Sequence, residues 1–326
     1  MHSFCTLFDS RYLSRGLALY ESLRRCGEDF HLYIFPFDKR AEHILRGMNL
    51  PRATIVALAE FEDEELLRIK ATRSPLEYCW TCTPSIILHV LQRFGADRCT
   101  HIDADLWFYS PPGVLLDEMG NNSVLITEHR YTPRYDKSRK SGKYCVQFIS
   151  FRNDSNGLTV LRWWRDACNK WCYAYAEDGK FGDQKYLDDW TTRFKGVHVL
   201  QHLGGGVAPW NVQQYSILSS GNGLQGVETA TGREFDLIFY HFHYVRFFAN
   251  GLVDLGRRTL SAPVLDTIYK PYLGELERLK EKVQDIDSSF DPHGADEWGV
   301  TWKSPLLFLW RTMKGTYNVF SLNEFL

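Results

Sequence analysis

The segment His101-Ile102-Asp103-Ala104-Asp105 sets two carboxylates two positions apart at the end of a short apolar run. If the strand persists through them, both side chains leave one face, roughly 6–7 Å apart along the chain. A divalent cation can bridge that gap while holding a diphosphate, and carboxylate oxygens suit hard ions such as Mg²⁺ or Mn²⁺. Asp-x-Asp by itself is common, and its bland reading is two solvated carboxylates in a turn. Its company adds weight. Phe235–Tyr244 (FDLIFYHFHY) brings His241 and His243 to one face of a late strand by alternation. Neutral imidazole is a suitable further ligand for Mn²⁺, although a core or rim histidine is the ordinary reading of either residue alone. Gly204-Gly205-Gly206 allows close backbone approach to a ligand, and reads equally well as plain loop. Trp210 and Asn211, just beyond it, are sugar-binding residue types. Asp183 and Gln184 open an expected helix, where Asp is favoured for its position alone.

These residues need a scaffold. Phe4–Phe8 reads as a buried strand ending at Asp9, and Leu13–Leu23 as a helix stopping before Gly27. His31–Phe37 and Ala53–Leu58 are further strands. Thr83 is placed to cap a helix with Pro84 in its first turn, running to Gly95. Cys99–Asp103, Ser123–Glu128 and Val146–Phe151 are strands, Leu158–Cys172 is a helix rich in aromatics, and Val197–Leu203 and Phe235–Tyr244 are late strands. This alternation predicts an α/β fold with a mostly parallel sheet flanked by helices. Such sheets place ligands at the carboxyl ends of their strands, where Asp9 and Asp103 fall. After Gly256 the pattern changes to charged-face helices, a polar loop over 287–299 and a short apolar segment. The division predicted is a catalytic domain over 1–255 and a helical C-terminal appendage over 256–326.

The 326 residues, 44% hydrophobic and 24% charged, can bury a large core without disulfides or a structural metal. A net charge of −2 argues against a nucleic-acid partner. The N-terminus lacks a secretory pattern, and no apolar run approaches the ~20 residues that span a bilayer. A cytoplasmic location is therefore expected, with the eight Cys reduced and the lone Cys79/Cys82 pair structural. Leu306, Leu307, Phe308, Leu309 and Trp310 lie together between Lys303 and the cations Arg311 and Lys314. That composition suits a helix in a membrane interface, which would hold the enzyme peripherally on the inner face of a membrane. The plainer reading is a C-terminal helix docked on the catalytic domain.

In their order these segments resemble the GT-A nucleotide-sugar transferases, in particular glycosyltransferase family 8. The likeness covers about residues 3 to 250 and rests on the strand ending at Asp9, HIDADLWF, KYCVQFISFRND, FGDQKYLDDW, APWN and YHFHY. It implies a GT-A fold, a nucleotide diphosphate donor, most often UDP-linked, a glycan or lipid-linked acceptor, and Mn²⁺ or Mg²⁺. Asp103 and Asp105 would bind the metal, with His241 as third ligand and His243 the alternative two residues on. Asp9 would contact uracil or ribose, with Phe8 and Tyr12 nearby. Asp183 would bind donor sugar hydroxyls and Gln184 would sit near the anomeric carbon, the pair doing the catalytic work. The resemblance favours retention; an inverting enzyme would instead draw its base from Glu128, Asp183, Asp188 or Asp189. Three departures stand out. Tyr244 replaces the usual Gly of the His motif. A Lys-Pro-Trp after it is missing, leaving Arg246 as the nearby cation for the diphosphate. Cys79-Trp80-Thr81-Cys82 precedes the acidic strand where a basic residue is frequent. Two rival readings are a phosphatase using Asp103 as nucleophile and a non-catalytic carbohydrate-binding protein on a transferase fold.

Overall fold

The structure, a computed structural model, describes residues 1–221, 223–299 and 304–326. Its first eight strands are β1 (His2–Phe8), β2 (Phe30–Pro36), β3 (Ala53–Ile55), β4 (Arg98–Ile102), β5 (Leu106–Phe108), β6 (Val124–Glu128), β7 (Tyr144–Arg152) and β8 (Val197–Val199). Seven of them form the central sheet in the order β3-β2-β1-β4-β7-β6-β8. β7 runs antiparallel to both neighbours, and the other pairings are parallel. The longer helices are α1 (Leu13–Arg25), α2 (Lys39–Gly47), α3 (Pro75–Arg93), α4 (Ser155–Lys170), α5 (Lys270–Gln284) and α6 (Ser304–Met313). Alternation along β1 divides the core. Phe4 and Phe8 pack with Leu17 and Leu23 of α1, while Cys5 packs with Ile86 and Val90 of α3 and Trp164 of α4. The period of two puts residues i and i+4 on one face, so one strand supports helices on both sides.

Helix α3 starts earlier than its sequence suggests. Ser74 Oγ accepts from Glu77 N at 3.3 Å, and a Glu77 carboxylate oxygen accepts from Ser74 N at 2.9 Å. This capping box, with Pro75 in the first turn, sets the start. Thr83 and Pro84 lie inside the helix, where a Pro was read as a beginning. The late segment Phe235–Tyr244 is also not one strand. It divides between β12 and β13 of the remaining set: β9 (Gly205–Val207), β10 (Tyr215–Ser220), β11 (Gly223–Glu228), β12 (Glu234–Asp236), β13 (Phe239–His241), β14 (Arg246–Phe247), β15 (Leu252–Asp254) and β16 (Val319–Ser321). β13 lies between β5 and β9, antiparallel to the first and parallel to the second.

The chain after residue 256 is built into the same core. Tyr269, Tyr272, Leu273 and Leu276 are fully buried in the cluster that holds Phe4 and Leu17. β16 pairs with β15 across that boundary. Arg311 grips Asp254 with two hydrogen bonds of 2.8 and 3.0 Å, both side chains buried. A further clasp joins α1 to the polar loop: His293 Nδ1 lies 2.9 Å from Ser14 Oγ and its Nε2 lies 2.7 Å from Glu277. The set has the composition of a hydrolytic triad, but Ser14 is wholly buried, so no substrate reaches it. All eight Cys are free thiols. No helix among the described residues is long and apolar enough to cross a membrane.

Candidate metal and donor site

Strand β4 ends at Ile102, and a turn, not a continuing strand, carries Asp103 to Asp105. Backbone bonds set that turn: Asp103 N donates to Gln147 O at 3.0 Å, Leu106 N to Asp103 O at 3.2 Å, and Phe242 N to Asp105 O at 2.9 Å. Because β13 pairs His241 with Leu106, the imidazole arrives beside Asp105. Its Nε2 stands 3.0 Å from Asp105 Oδ1 and 3.7 Å from Asp103 Oδ2. One potential ligand atom from each residue lies within 4.8 Å of the others. An octahedral ion with bonds of about 2.1 Å needs ligand–ligand edges of about 3 Å, so the three residues fit a Mg²⁺- or Mn²⁺-sized ion with little movement. His243 lies past the end of β13 and outside this group, its exposed ring edge-on to His241 and Trp210 at 5.6 and 5.5 Å.

The charges agree with the geometry. Burial alone would raise the Asp105 pKa, but His241 above all, then His243 and Arg15, hold it down at about 2. Burial alone would lower that of His241, yet Asp105 and then Cys145 and Asp103 raise it well above the ordinary value. Two carboxylates thus draw a positive charge into a buried place, the role a divalent cation fills when bound.

Two buried residues hold these groups. Gln147, at the centre of β7, accepts His241 Nδ1–H through Oε1 at 2.6 Å, which turns Nε2 toward the carboxylates. His101 Nε2 lies 3.2 Å from Asp103 Oδ1. Neither was singled out in the sequence, although both are buried, and a buried amide or imidazole is costly without a partner. The glycine run serves this packing. A Cβ on Gly204 would lie 1.9 Å from Asp236 O, and one on Gly205 2.6 Å from Leu200 Cδ2. At Gly206, φ is +114° and a Cβ would press on Thr127 and Gln147. The run is therefore the turn into β9 and the start of that strand, buried and crowded by protein. Gln147→Leu should weaken Mn²⁺ binding about 10–100-fold while Gln147→Glu weakens it less, read by calorimetric titration. Unchanged affinity in the Leu variant would remove Gln147 from the site.

Trp210 walls the site, edge-on to His241 at 5.3 Å, with Nε1 donating to His129 O at 2.9 Å. Asn211 is only 1% exposed; it donates to His129 O and Gly206 O and accepts from Ala208 N, so its polar groups hold the loop itself. Asp183 precedes a 3₁₀ turn, Gln184–Asp189, rather than an α-helix. Its carboxylate is buried, and Oδ2 has no partner. Burial, then the charge of Asp103, raises its pKa to about 7. Gln184 donates to Ser141 O at 2.6 Å.

At the end of β1, Asp9 accepts from Arg11 N at 3.1 Å, and burial and then Asp38 raise its pKa. Tyr12 is 38% exposed under the Arg15 guanidinium. Phe8 is buried against Gly16, where a Cβ would lie 2.3 Å from its ring, so it shapes the floor and offers no open face. Arg246 is exposed at the start of β14, over the Tyr244 ring. Tyr244 itself has φ +75°, the left-handed region where glycine is at ease, which costs a bulky residue about 1–2 kcal/mol. The departure from Gly is accommodated by Gly256, where a Cβ would come within 3.2 Å of the Tyr244 ring.

No family model matches the chain. Over 293 residues it is 30% identical to the uncharacterized protein YfnD of Bacillus subtilis (strain 168), covering 88% of this chain and 92% of that one. Over 297 residues it is 30% identical to the uncharacterized protein YfnF of the same strain, covering 89% and 96%. Among solved structures, the galactosyltransferase LgtC, crystallised with donor and acceptor sugar analogs, matches 85% of this chain and 95% of its own. The TM-score is 0.52 at 10% identity, a likeness of fold.

Proposed function

The chain belongs to one family with YfnD and YfnF and has the GT-A glycosyltransferase fold, and from that premise we propose that it transfers a sugar from a nucleotide diphosphate donor, UDP-linked, to a glycan or lipid-linked acceptor with the help of Mn²⁺ or Mg²⁺. The observation that carries this reading is the convergence of Asp103 and Asp105, from the turn after β4, with His241 at the end of β13. These three residues would hold the ion, which when bound supplies charge neutralisation for the leaving diphosphate. The chain's own groups do the rest. Asp9 and Tyr12 offer a polar and a flat contact for the nucleoside. The partnerless Asp183 oxygen suits a donor sugar hydroxyl, and Gln184 lies next to it in the chain. Trp210 closes one side of the site, and Arg246, exposed five residues after His241, is the cation offered to the diphosphate. The assignment favours retention of the anomeric configuration.

A thermal-shift screen of UDP-, GDP-, CDP- and dTDP-sugars with and without Mn²⁺ tests this. Ligand at a hundred times its Kd adds about 2.7 kcal/mol to the folded state. The expected result is a higher melting temperature with UDP-sugars that disappears in chelator. Equal stabilisation in chelator defeats the metal role, and phosphate release from simple esters would favour a phosphatase.

The reading extends to location. In α6, Leu306, Leu307, Phe308, Leu309, Trp310 and Met313 are 44–72% exposed, while Arg311 is buried against Asp254. Lys303, the cation expected before this helix, lies outside the described residues. A docked helix would cover its apolar residues, so their exposure supports an interfacial helix at a membrane face. Truncation before Ser304 would also remove β16, which pairs with β15, so point substitutions make the sharper test. Leu307→Glu with Trp310→Glu should release the protein from anionic vesicles in a flotation assay and leave donor hydrolysis intact. Absence of vesicle binding by the unsubstituted chain would refute the interfacial role.

A further inference from the structure

A cleft of about 640 Å³ opens beside the metal and donor site, between the ends of β6 and β7 and the start of β10. We propose that it is the acceptor subsite and that it takes a neutral glycan. The inference rests on the transferase reading and deepens it.

Position comes first. Lys143, on the cleft wall, donates through its backbone N to Asp188 Oδ1 at 2.7 Å. Asp188 belongs to the 3₁₀ turn that Gln184 opens, and Gln184 in turn donates to Ser141 O. Gly142, between them, has φ +103°, and a Cβ there would lie 3.3 Å from Lys185 Cα and 3.2 Å from Asp188 Oδ1. On the other side, Tyr131 of the cleft stacks on His129 at 4.5 Å, and the Trp210 ring lies between His129 and His241. The cleft thus adjoins both halves of the site: one loop separates it from Gln184, and one chain of touching aromatic rings from His241. A molecule bound there can extend toward the anomeric carbon of a donor, and such positioning is a large part of catalysis in a two-substrate reaction.

Chemistry comes second. The walls carry charges of both signs, several of them held by neighbouring groups. Lys143 faces Glu128 at 3.8 Å, and Asp188 pairs with Lys185 at 2.7 Å. The Arg130 guanidinium donates to the carbonyls of Leu200, His202, Leu203 and Gly205. Asp136 accepts from Ser138 N, and Glu228 from Thr231 Oγ. A polyanion would need surplus cations, and the lining has none: Arg130, Arg139 and Lys143 face Glu128, Asp136, Asp188 and Glu228. Carboxylates held in place with further lone pairs, together with Ser138, Gln214 and the Tyr131 and Tyr215 rings, instead match hydroxyls and the flat faces of sugar rings.

The test separates this inference from the function it rests on. Full-length protein is given UDP-glucose or UDP-galactose with Mn²⁺. Donor hydrolysis is read without acceptor, and transfer is read by mass spectrometry to a set of neutral octyl glycosides and to octyl glucuronide. Ser138→Trp, which fills the cleft, and Glu228→Arg, which adds a cation at its rim, are compared with the original chain. The inference expects transfer to a neutral glycoside, an acceptor KM raised about tenfold or more in both variants, and donor hydrolysis changed by less than about twofold. Transfer with unchanged KM in both variants places the acceptor elsewhere and overturns the subsite. Hydrolysis without transfer to any neutral glycoside, or a preference for the glucuronide, overturns the substrate class. Absence of both hydrolysis and transfer defeats the transferase reading beneath it.

Discussion

Asp105→Ala should lose about a thousandfold or more in transfer, because it removes both a proposed metal ligand and the carboxylate nearest His241. A Lewis acid at a leaving diphosphate is worth several kcal/mol, and about 4 kcal/mol corresponds to a thousandfold in rate. Asp103→Ala should fall in the same range. Its carboxylate faces His241 at 3.7 Å rather than 3.0 Å, but it is the one also held by His101. Between the histidines the expected order is clear. His241→Ala should weaken Mn²⁺-dependent UDP binding strongly and His243→Ala weakly, since only the former joins the two carboxylates. Steady-state rates, circular dichroism and UDP titrations with Mn²⁺ and with chelator check the set. Full activity of the Asp105 variant in chelator would defeat the metal role, and a larger effect at His243 would move the ligand by two residues.

The acidic pair was legible through its company: two carboxylates at a strand end, with two late histidines and the other segments in the order of a transferase. The strand–helix alternation was legible because each half-buried element carries its own periodicity. What escaped was set by contacts distant in sequence. Gln147 looks like an interruption of an apolar strand until His241, 94 positions later, is seen to donate to it. The glycine run resembles a ligand loop until Asp236, Leu200 and Gln147 are seen to occupy the space of its missing side chains. The pairing of β15 with β16 joins residues on either side of a change in composition, so a boundary drawn on composition alone cuts through a shared core. Pro84 misled for a local reason. A proline marks a helix start only when no better cap precedes it, and Ser74 with Glu77 provides one. The exposed apolar side chains of α6 are the converse case: the sequence shows their character, and only the structure shows that the described residues leave them exposed.

Asp183→Asn should separate turnover from both nucleotide binding and stability. Transfer from a UDP-sugar should fall about a hundredfold, the scale of losing one well-placed polar contact in a transition state, while free UDP binds as before. A matching loss of UDP and UDP-sugar affinity would show that Asp183 faces the nucleotide. The stability effect has the opposite sign. Burial, then Asp103, raises the Asp183 pKa from 3.8 to about 7 in the folded chain. Below pH 3.8 the carboxyl is protonated in folded and unfolded chains alike. As pH rises from there toward 7, the unfolded chain releases its proton first, so folding stability declines through this window, by up to about 4 kcal/mol for this one group. An Asn does not titrate, and the variant should escape that decline. In chelator, to keep cations away from Asp103, it should melt higher than the original chain at pH 8, and the gap should close toward pH 4. A gap independent of pH would mean that Asp183 is not held as a buried acid. If the gap closes as expected while turnover is lost, the side chain is kept at a site where it destabilises the fold, and an unpartnered carboxylate oxygen there is accounted for by a substrate hydroxyl that completes its hydrogen bonds.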